Sequence, residues 1–230
     1  MNVLLSTTYF GPIEWYQMLC RANHAKLECM ESFQKQTYRN RCIIATANGV
    51  QTLTVPVERC SKYENSRIKD IRISDHGDWR RQHWNALTSA YGESPFFDYY
   101  QDDLRPFFEY RHWTYLLDFN ESVREVICEL LDVHPHLSRT TEYHHEPEEE
   151  WQDCRSTISP KHQSIIDQPA TNNQLLTFSP RPYYQVYQQR HDFLPNLSVL
   201  DLLFNMGPEG IFWLQVPQGS TPLGQQTTKY

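Results

Sequence analysis

The chain has 230 residues, and its 21 Lys and Arg against 28 Asp and Glu leave a net charge of −7. That balance excludes an extended nucleic-acid surface, which needs a broad basic field to displace counterions, but it allows a local cationic cluster for a small anion. No apolar run approaches the length of a membrane span, and "MNVLLSTTYF" lacks the basic start and apolar stretch of a signal peptide, so a cytoplasmic protein is expected. The core leans on 6 Trp, 14 Tyr and 11 Phe, residues that bury large areas while keeping a polar tip for Trp and Tyr. Six cysteines (Cys20, Cys29, Cys42, Cys60, Cys128 and Cys154) show no CxxC and no zinc spacing, which suits reduced, buried thiols.

Taken in order, Val3-Leu4-Leu5 predicts a short buried strand, and Pro12 opens a helix to about Arg21 with Ile13, Tyr16, Met18 and Leu19 on its apolar side. "KLECME" predicts a second strand. "RCIIATA" and "VQTLTVPV" flank Asn48-Gly49, a hairpin signal over 41–57 with Ala47 facing Val50 and Ile43 facing Thr54. Cys42, Ile44, Leu53 and Val55 then share an apolar face. "RIKDIRIS" predicts another strand. Helices follow at 77–92, with the stripe Trp79, His83, Leu87 and Tyr91, at 94–110, and at 120–133. From His134 to about Gln174 no element is evident, so a long loop or mobile segment is expected. Ser198-x-x-Asp201 resembles a capping box that starts a last helix, with Gly207-Pro208 as its stop, and the tail from about 218 is expected to fray. These patterns predict one α/β domain: a small mixed sheet holding the N-terminal strand and the hairpin, covered by helices.

The densest polar chemistry is "KQTYRNR", residues 35–41. If the hairpin strand extends backward, Arg39 and Arg41 share one face by the period of two and fork onto a phosphate or carboxylate, with Lys35 as a point charge. Gln36, Tyr38 and Asn40 alternate onto the other face, within reach of sugar or amide groups. A charge run at a strand entry is otherwise a solvated face. His83, inside an apolar stripe, is a hydrogen-bonded core residue or, if a cleft opens there, a general acid/base. His144-His145 among Glu142, Glu146 and Glu148 has no spacing that fixes a metal, so no metal or cofactor is expected. "TTYFGP" has one glycine and no phosphate-loop signature.

The succession "YFGPIEWYQML", "ESFQKQTYRNRCIIATANGVQTLTVPV", "IKDIRIS", "WRRQHWNALTSAYGESPFF", "YLLDFN", "DCRSTISPK" and "YYQVYQQRHDFLPNLSVLDLLFNMGPEG" resembles the WbqC-like protein family over most of the chain. Asp153-Cys154-Arg155 stands where the family motif usually reads Asp-Leu-Arg. The resemblance marks Lys35, Gln36, Arg39, Asn40, Arg41, His83, Asp153, Arg155, Lys161 and Asn205. It implies a role in bacterial surface-polysaccharide (O-antigen type) precursor metabolism, with acyl or aminoacyl transfer to an amino sugar as the suggested chemistry. Under it, Arg155 and Lys161 are expected to fold back onto Arg39 and Arg41 around a phosphorylated or nucleotide-linked sugar, with His83 as acid/base. The alternatives are a non-catalytic module for an anionic metabolite, or an interaction protein using Phe96, Phe97, Tyr99 and Tyr100.

Overall fold

The structure, a computed structural model, describes residues 1–58, 66–161, 178 and 180–215. Strand β1 (Asn2–Ser6) leads through a turn to α1 (Ile13–Arg21) and on to β2 (His24–Glu28). Pro12 precedes α1 with φ fixed at −68°, Glu14 occupies its first turn and Arg21 its last, the charge order that a helix dipole favours. A hairpin follows, β3 (Arg41–Thr46) and β4 (Gly49–Thr54), then helices α2 (Trp79–Tyr91), α3 (Phe97–Leu104), α4 (Pro106–Glu109) and α5 (Leu116–Leu130). Two short strands, β5 (Leu137–Arg139) and β6 (Trp151–Asp153), precede α6 (Gln188–His191), α7 (Val199–Met206) and α8 (Ile211–Leu214).

The main sheet is four-stranded, in the order β5-β2-β1-β6, and every pairing in it is parallel. This mixed α/β architecture matches the expected class, but the hairpin is not part of that sheet; β3 and β4 pair only with each other. The expected long loop also contributes β5 and β6, whose three-residue length is too short to show alternation. Residues 162–177 and the tail lie outside the described residues.

Register departs from expectation in the hairpin. Ala45 faces Val50 and Ile43 faces Thr52, a slip of two residues. Thr46 explains it: its Oγ1 accepts from the Asn48 N–H at 3.2 Å and donates to the Gly49 carbonyl at 2.8 Å, so the chain turns one step early. Gly49 takes φ +107° and Asn48 does not turn positive, so the turn is not type I′. An even slip preserves faces, and Cys42, Ile44, Leu53 and Val55 are all buried. "RIKDIRIS" forms no strand; it makes a 3-10 turn (Ile68–Asp70) and isolated bridges from Arg72 and Ile73. The expected helix over 94–110 breaks at Pro106, which has no N–H to continue it. Phe97 and Tyr100 are buried, so only Tyr99 of the four proposed surface aromatics is strongly exposed, at 74%.

The C-terminal segment is knitted into the N-terminal turn. Ile13 N–H donates to Leu197 O, Val199 N–H to Gly11 O and Ser198 N–H to Ile43 O. Glu14 N–H donates to Asn196 Oδ1 at 2.9 Å. The backbone donors at the start of α1 are therefore occupied, and the "TTYFGP" turn is not an anion cradle. Ser198 caps α7 through its side chain, as the motif predicts. Asp201 turns inward instead of completing the box.

Helix α7 ends at Gly207, with φ +57°, and a Cβ there would lie 2.6 Å from two carbons of the Phe96 ring. Gly207→Ala combines backbone strain with overpacking and is expected to cost roughly 2–4 kcal/mol in urea unfolding. A change below about 0.5 kcal/mol would show that this end of α7 yields freely.

Candidate active site at the carboxyl edge of the sheet

From β1 the chain steps outward to β2 and β5, then returns to the opposite side of β1 with β6. Strand order thus reverses at β1, and open α/β sheets bind ligands outside the carboxyl ends of strands at such a reversal. The last residues of the four strands are Ser6, Glu28, Arg139 and Asp153, all polar. Register and the period of two place Leu4, Ser6, Lys26, Glu28, Trp151 and Asp153 on one face. The other face, with Val3, Leu5, Ala25 and Leu27, joins the main hydrophobic core. The polar face is covered by the acidic loop after β5: Leu4, Lys26 and Trp151 line a small hollow with His144, Pro147 and Glu148. Lys26 also stacks on the Trp151 ring at 4.2 Å.

Arg155 organises this edge. Its Nε and Nη2 fork onto Asp153 at 2.9 and 2.7 Å, and its Nη1 reaches the His144 carbonyl at 2.8 Å and Glu28 Oε2 at 3.3 Å. Tyr143 lies under the guanidinium at 5.2 Å. Glu28 is wholly buried, and its Oε1 accepts from Thr140 Oγ1 at 2.8 Å and Met30 N–H at 2.9 Å. Burial pushes the Asp153 carboxyl up, but the Arg155 guanidinium and backbone N–H outweigh it and hold it below its ordinary value.

Arg39 reaches the same edge from the other side. It is buried and forks onto Glu31, Nε to Oε1 at 2.8 Å and Nη2 to Oε2 at 2.5 Å, and Nη2 also meets Ser6 Oγ at 2.8 Å. Ser6 and Glu28 are register partners, so the groups that hold Arg39 and Arg155 stand side by side. Each of these two arginines is paired with carboxylate, Arg39 with Glu31 and Arg155 with Asp153 and Glu28. Two guanidiniums face three carboxylates, Glu28, Glu31 and Asp153, so acids outnumber cations in this set and the edge is not a cationic pocket.

The rest of "KQTYRNR" is not an extended strand. Gln36 has φ +62°, and residues 35–40 form turns, so Arg39 and Arg41 do not share a strand face. Lys35 and Gln36 are exposed at the tip. Asn40 latches the base of the hairpin, its Nδ2 donating to Val55 O at 2.9 Å. Among the described residues the buried Tyr38 hydroxyl and the buried Nε of Arg41, at the start of β3, have no partner. Thr7 Oγ1, one residue past β1, is likewise buried without a partner. Lys161 is exposed beyond Ser159, and no contact joins it to Arg39 or Arg41 among the described residues.

His83 sits apart from this edge, in the aromatic core. Its Nδ1 is 2.9 Å from the Tyr9 hydroxyl, the Trp79 ring is 5.1 Å away, and Thr54 supplies a backbone hydrogen bond. Burial lowers its pKa to about 4, so the ring is neutral near pH 7. The described cysteines are free thiols whose pKa values burial raises, Cys154 to about 12 and Cys29 to about 11, which leaves them protonated and poorly nucleophilic. No cluster of His, Cys, Asp or Glu among the described residues is set to hold a metal.

The pattern of the sequence did not point to Ser6, Glu28 and Glu31, partners of the two arginines, or to Thr140, which donates to Glu28. One signal was present: in "AKLE", Lys26 and Glu28 alternate with Ala25 and Leu27, which marks a strand with one polar face.

Two outcomes follow from this geometry. Arg39→Ala or Glu31→Ala alone strands a buried charge and is expected to cost about 3–5 kcal/mol, whereas Arg39→Met with Glu31→Met costs far less than the sum of the single changes. Additive losses in chemical denaturation would refute the pairing. For His83, a folded pKa below the unfolded value of 6.5 gives stability that is present above pH 6.5 and lost as pH falls through about 4. Wild type should therefore lose roughly 3 kcal/mol relative to His83→Gln across that window. A pH-independent gap between the two would contradict neutral burial.

A protein of Mycobacterium tuberculosis (strain ATCC 25618 / H37Rv), the uncharacterized protein Rv1507c, is 28% identical over 195 residues, covering 80% of this chain and 84% of that protein. No solved structure matches. The family model of the WbqC-like protein family matches residues 7–212, a span that takes in Thr7, Arg39, Asp153 and Arg155, and the chain belongs to that family.

Proposed function

We propose that the chain is an enzyme of surface-polysaccharide precursor metabolism, acting on a phosphorylated or nucleotide-linked amino sugar whose sugar ring is read at the carboxyl edge of the sheet. The observation that carries this is the convergence of Arg39, Arg155, Glu28, Glu31 and Asp153 at the strand-order reversal. A pre-oriented set of donors and acceptors, with more carboxylates than guanidiniums, suits hydroxyl and amide groups, which need both, better than a bare diphosphate. Arg39 Nη1 meets no acceptor among the described residues, and the Thr7 and Tyr38 hydroxyls, next in sequence to Ser6 and Arg39, are likewise without a partner among them. The exposed Lys35 and Lys161 supply positive charge for the phosphate, with Gln36, Asn40 and Arg41 in the adjoining turn and strand start. Acyl or aminoacyl transfer is the reaction the family resemblance suggests. In this proposal His83 is a positioning residue that holds Tyr9, not the acid/base.

A second possibility, a binding module without turnover, is favoured by one observation: none of the described cysteines is an activated nucleophile and His83 is buried and neutral.

The test is a thermal-shift screen of wild type and Asp153→Asn against nucleotide-linked sugars, sugar phosphates, free nucleotides and acyl thioesters. A ligand at a hundred times its Kd adds about 2.7 kcal/mol to the native state. Sugar-bearing ligands should stabilise the wild type, and Asp153→Asn should weaken them about tenfold. Equal shifts from free nucleotides, unaffected by the variant, would sink the assignment of the sugar to this edge. Product formation with a stabilising pair of ligands separates enzyme from binding module.

A further inference from the structure

We propose that a cleft at the start of α2 is a second binding site, for a small oxyanion, the terminal phosphate or carboxylate of a metabolite. The cleft holds about 120 Å³ and is lined by Arg80, Arg81 and Arg111 together with Asp75, Asp78 and Glu109. That is room for several waters, and so for one tetrahedral oxyanion. None of these residues takes part in the network at the sheet edge.

Donor accounting points to the ligand. A guanidinium has five N–H donors and no acceptor. The Arg80 side chain is 8% exposed, yet among the described residues it makes one hydrogen bond, Nη1 to Asp75 Oδ1 at 2.5 Å, and its buried Nε has no partner. Trp79 holds the guanidinium plane at 4.4 Å. Arg81 gives Nε to Asp78 Oδ2 at 2.5 Å, and Arg111 lies 3.8 Å from Asp75 Oδ2, beyond hydrogen-bond distance. The third acid, Glu109, is drawn away to Arg105. Every carboxylate of the lining is thus engaged by a guanidinium, while most guanidinium N–H groups are not engaged by a carboxylate.

The backbone adds to the same surplus. Asp78 precedes α2 without a side-chain cap, and the first turn carries no acidic residue. The N–H groups of Trp79, Arg80 and Arg81, which a cap or anion ordinarily satisfies, meet no acceptor among the described residues. A wall that is neutral in charge but oversupplied with donors fits an anionic ligand that only accepts, and fits a metal ion poorly.

The experiment is isothermal titration of the full chain with inorganic phosphate and, separately, acetate, each at ionic strength matched with chloride. Phosphate, acetate or both should bind. Arg81→Ala with Arg111→Ala, both exposed positions, should weaken binding about tenfold. Asp75→Asn should tighten it severalfold, because it releases Arg80. Binding that survives the double variant, or that weakens in Asp75→Asn, overturns the proposal, as does the absence of any heat beyond the chloride control. Asp153→Asn should leave phosphate binding unchanged; if it abolishes it, the anion belongs at the sheet edge, and the cleft has no such role.

Discussion

A buried guanidinium cannot be left alone, and much of this fold is arranged around two of them. Arg155 links the end of β6 to the end of β2 and to the acidic loop, because Asp153, Glu28 and the His144 carbonyl are its acceptors. Arg39 links the end of β1 to Glu31, through Ser6 Oγ and the forked carboxylate. Asn120 Nδ2 then donates to the Arg39 carbonyl at 2.8 Å, which ties α5 to the same point. Desolvating such charges is costly unless every partner is in place, so segments far apart in sequence must meet here together. The acidic loop, which reads as a solvated run, is held down by this requirement.

A buried carboxylate in α7 gathers a separate set of partners. Asp201 accepts from Tyr91 OH at 3.0 Å, Tyr183 OH at 2.6 Å and Gln185 Nε2 at 2.9 Å. Burial raises its pKa to about 6 against those hydrogen bonds. Its folded value lies above its unfolded one, so its share of stability is present below about pH 4 and is lost as pH rises through about 6. His83 works in the reverse direction over nearly the same range. The two core groups therefore offset one another under mild acid.

The elements legible in the sequence were those with a long period or a strong local signal. Nine residues of α1, thirteen of α2 and the capped α7 carry enough apolar repeats or end signals to be placed closely. The hairpin was legible as a pair of strands, but its exact register hung on Thr46 Oγ1, a contact that no pattern announces. β5 and β6 were not legible because three residues cannot display alternation and their pairing depends on strands over a hundred residues away. For the site, the types of Arg39 and Arg155 were informative. Their neutralisation was not, because Glu28 and Glu31 become partners only once the parallel sheet has set Ser6 beside Glu28. His83 was ambiguous for a related reason: a helical stripe does not say whether the space it faces is a cleft or Tyr9 and Trp79.

The backbone bonds between residues 11–14 and 196–199 have a consequence for how the chain is made. The first helix has its leading amides satisfied by a segment synthesised 182 residues later. Until then β1 and α1 stand without that support, and the face of the aromatic core that α7 covers, including Tyr91 and Phe97 against Phe204, stays open to water. Long-range closure of this kind slows folding and lengthens the life of sticky intermediates. A chain cut before α7 leaves those aromatic rings without their cover, which is the kind of exposed apolar surface that drives association of incomplete chains.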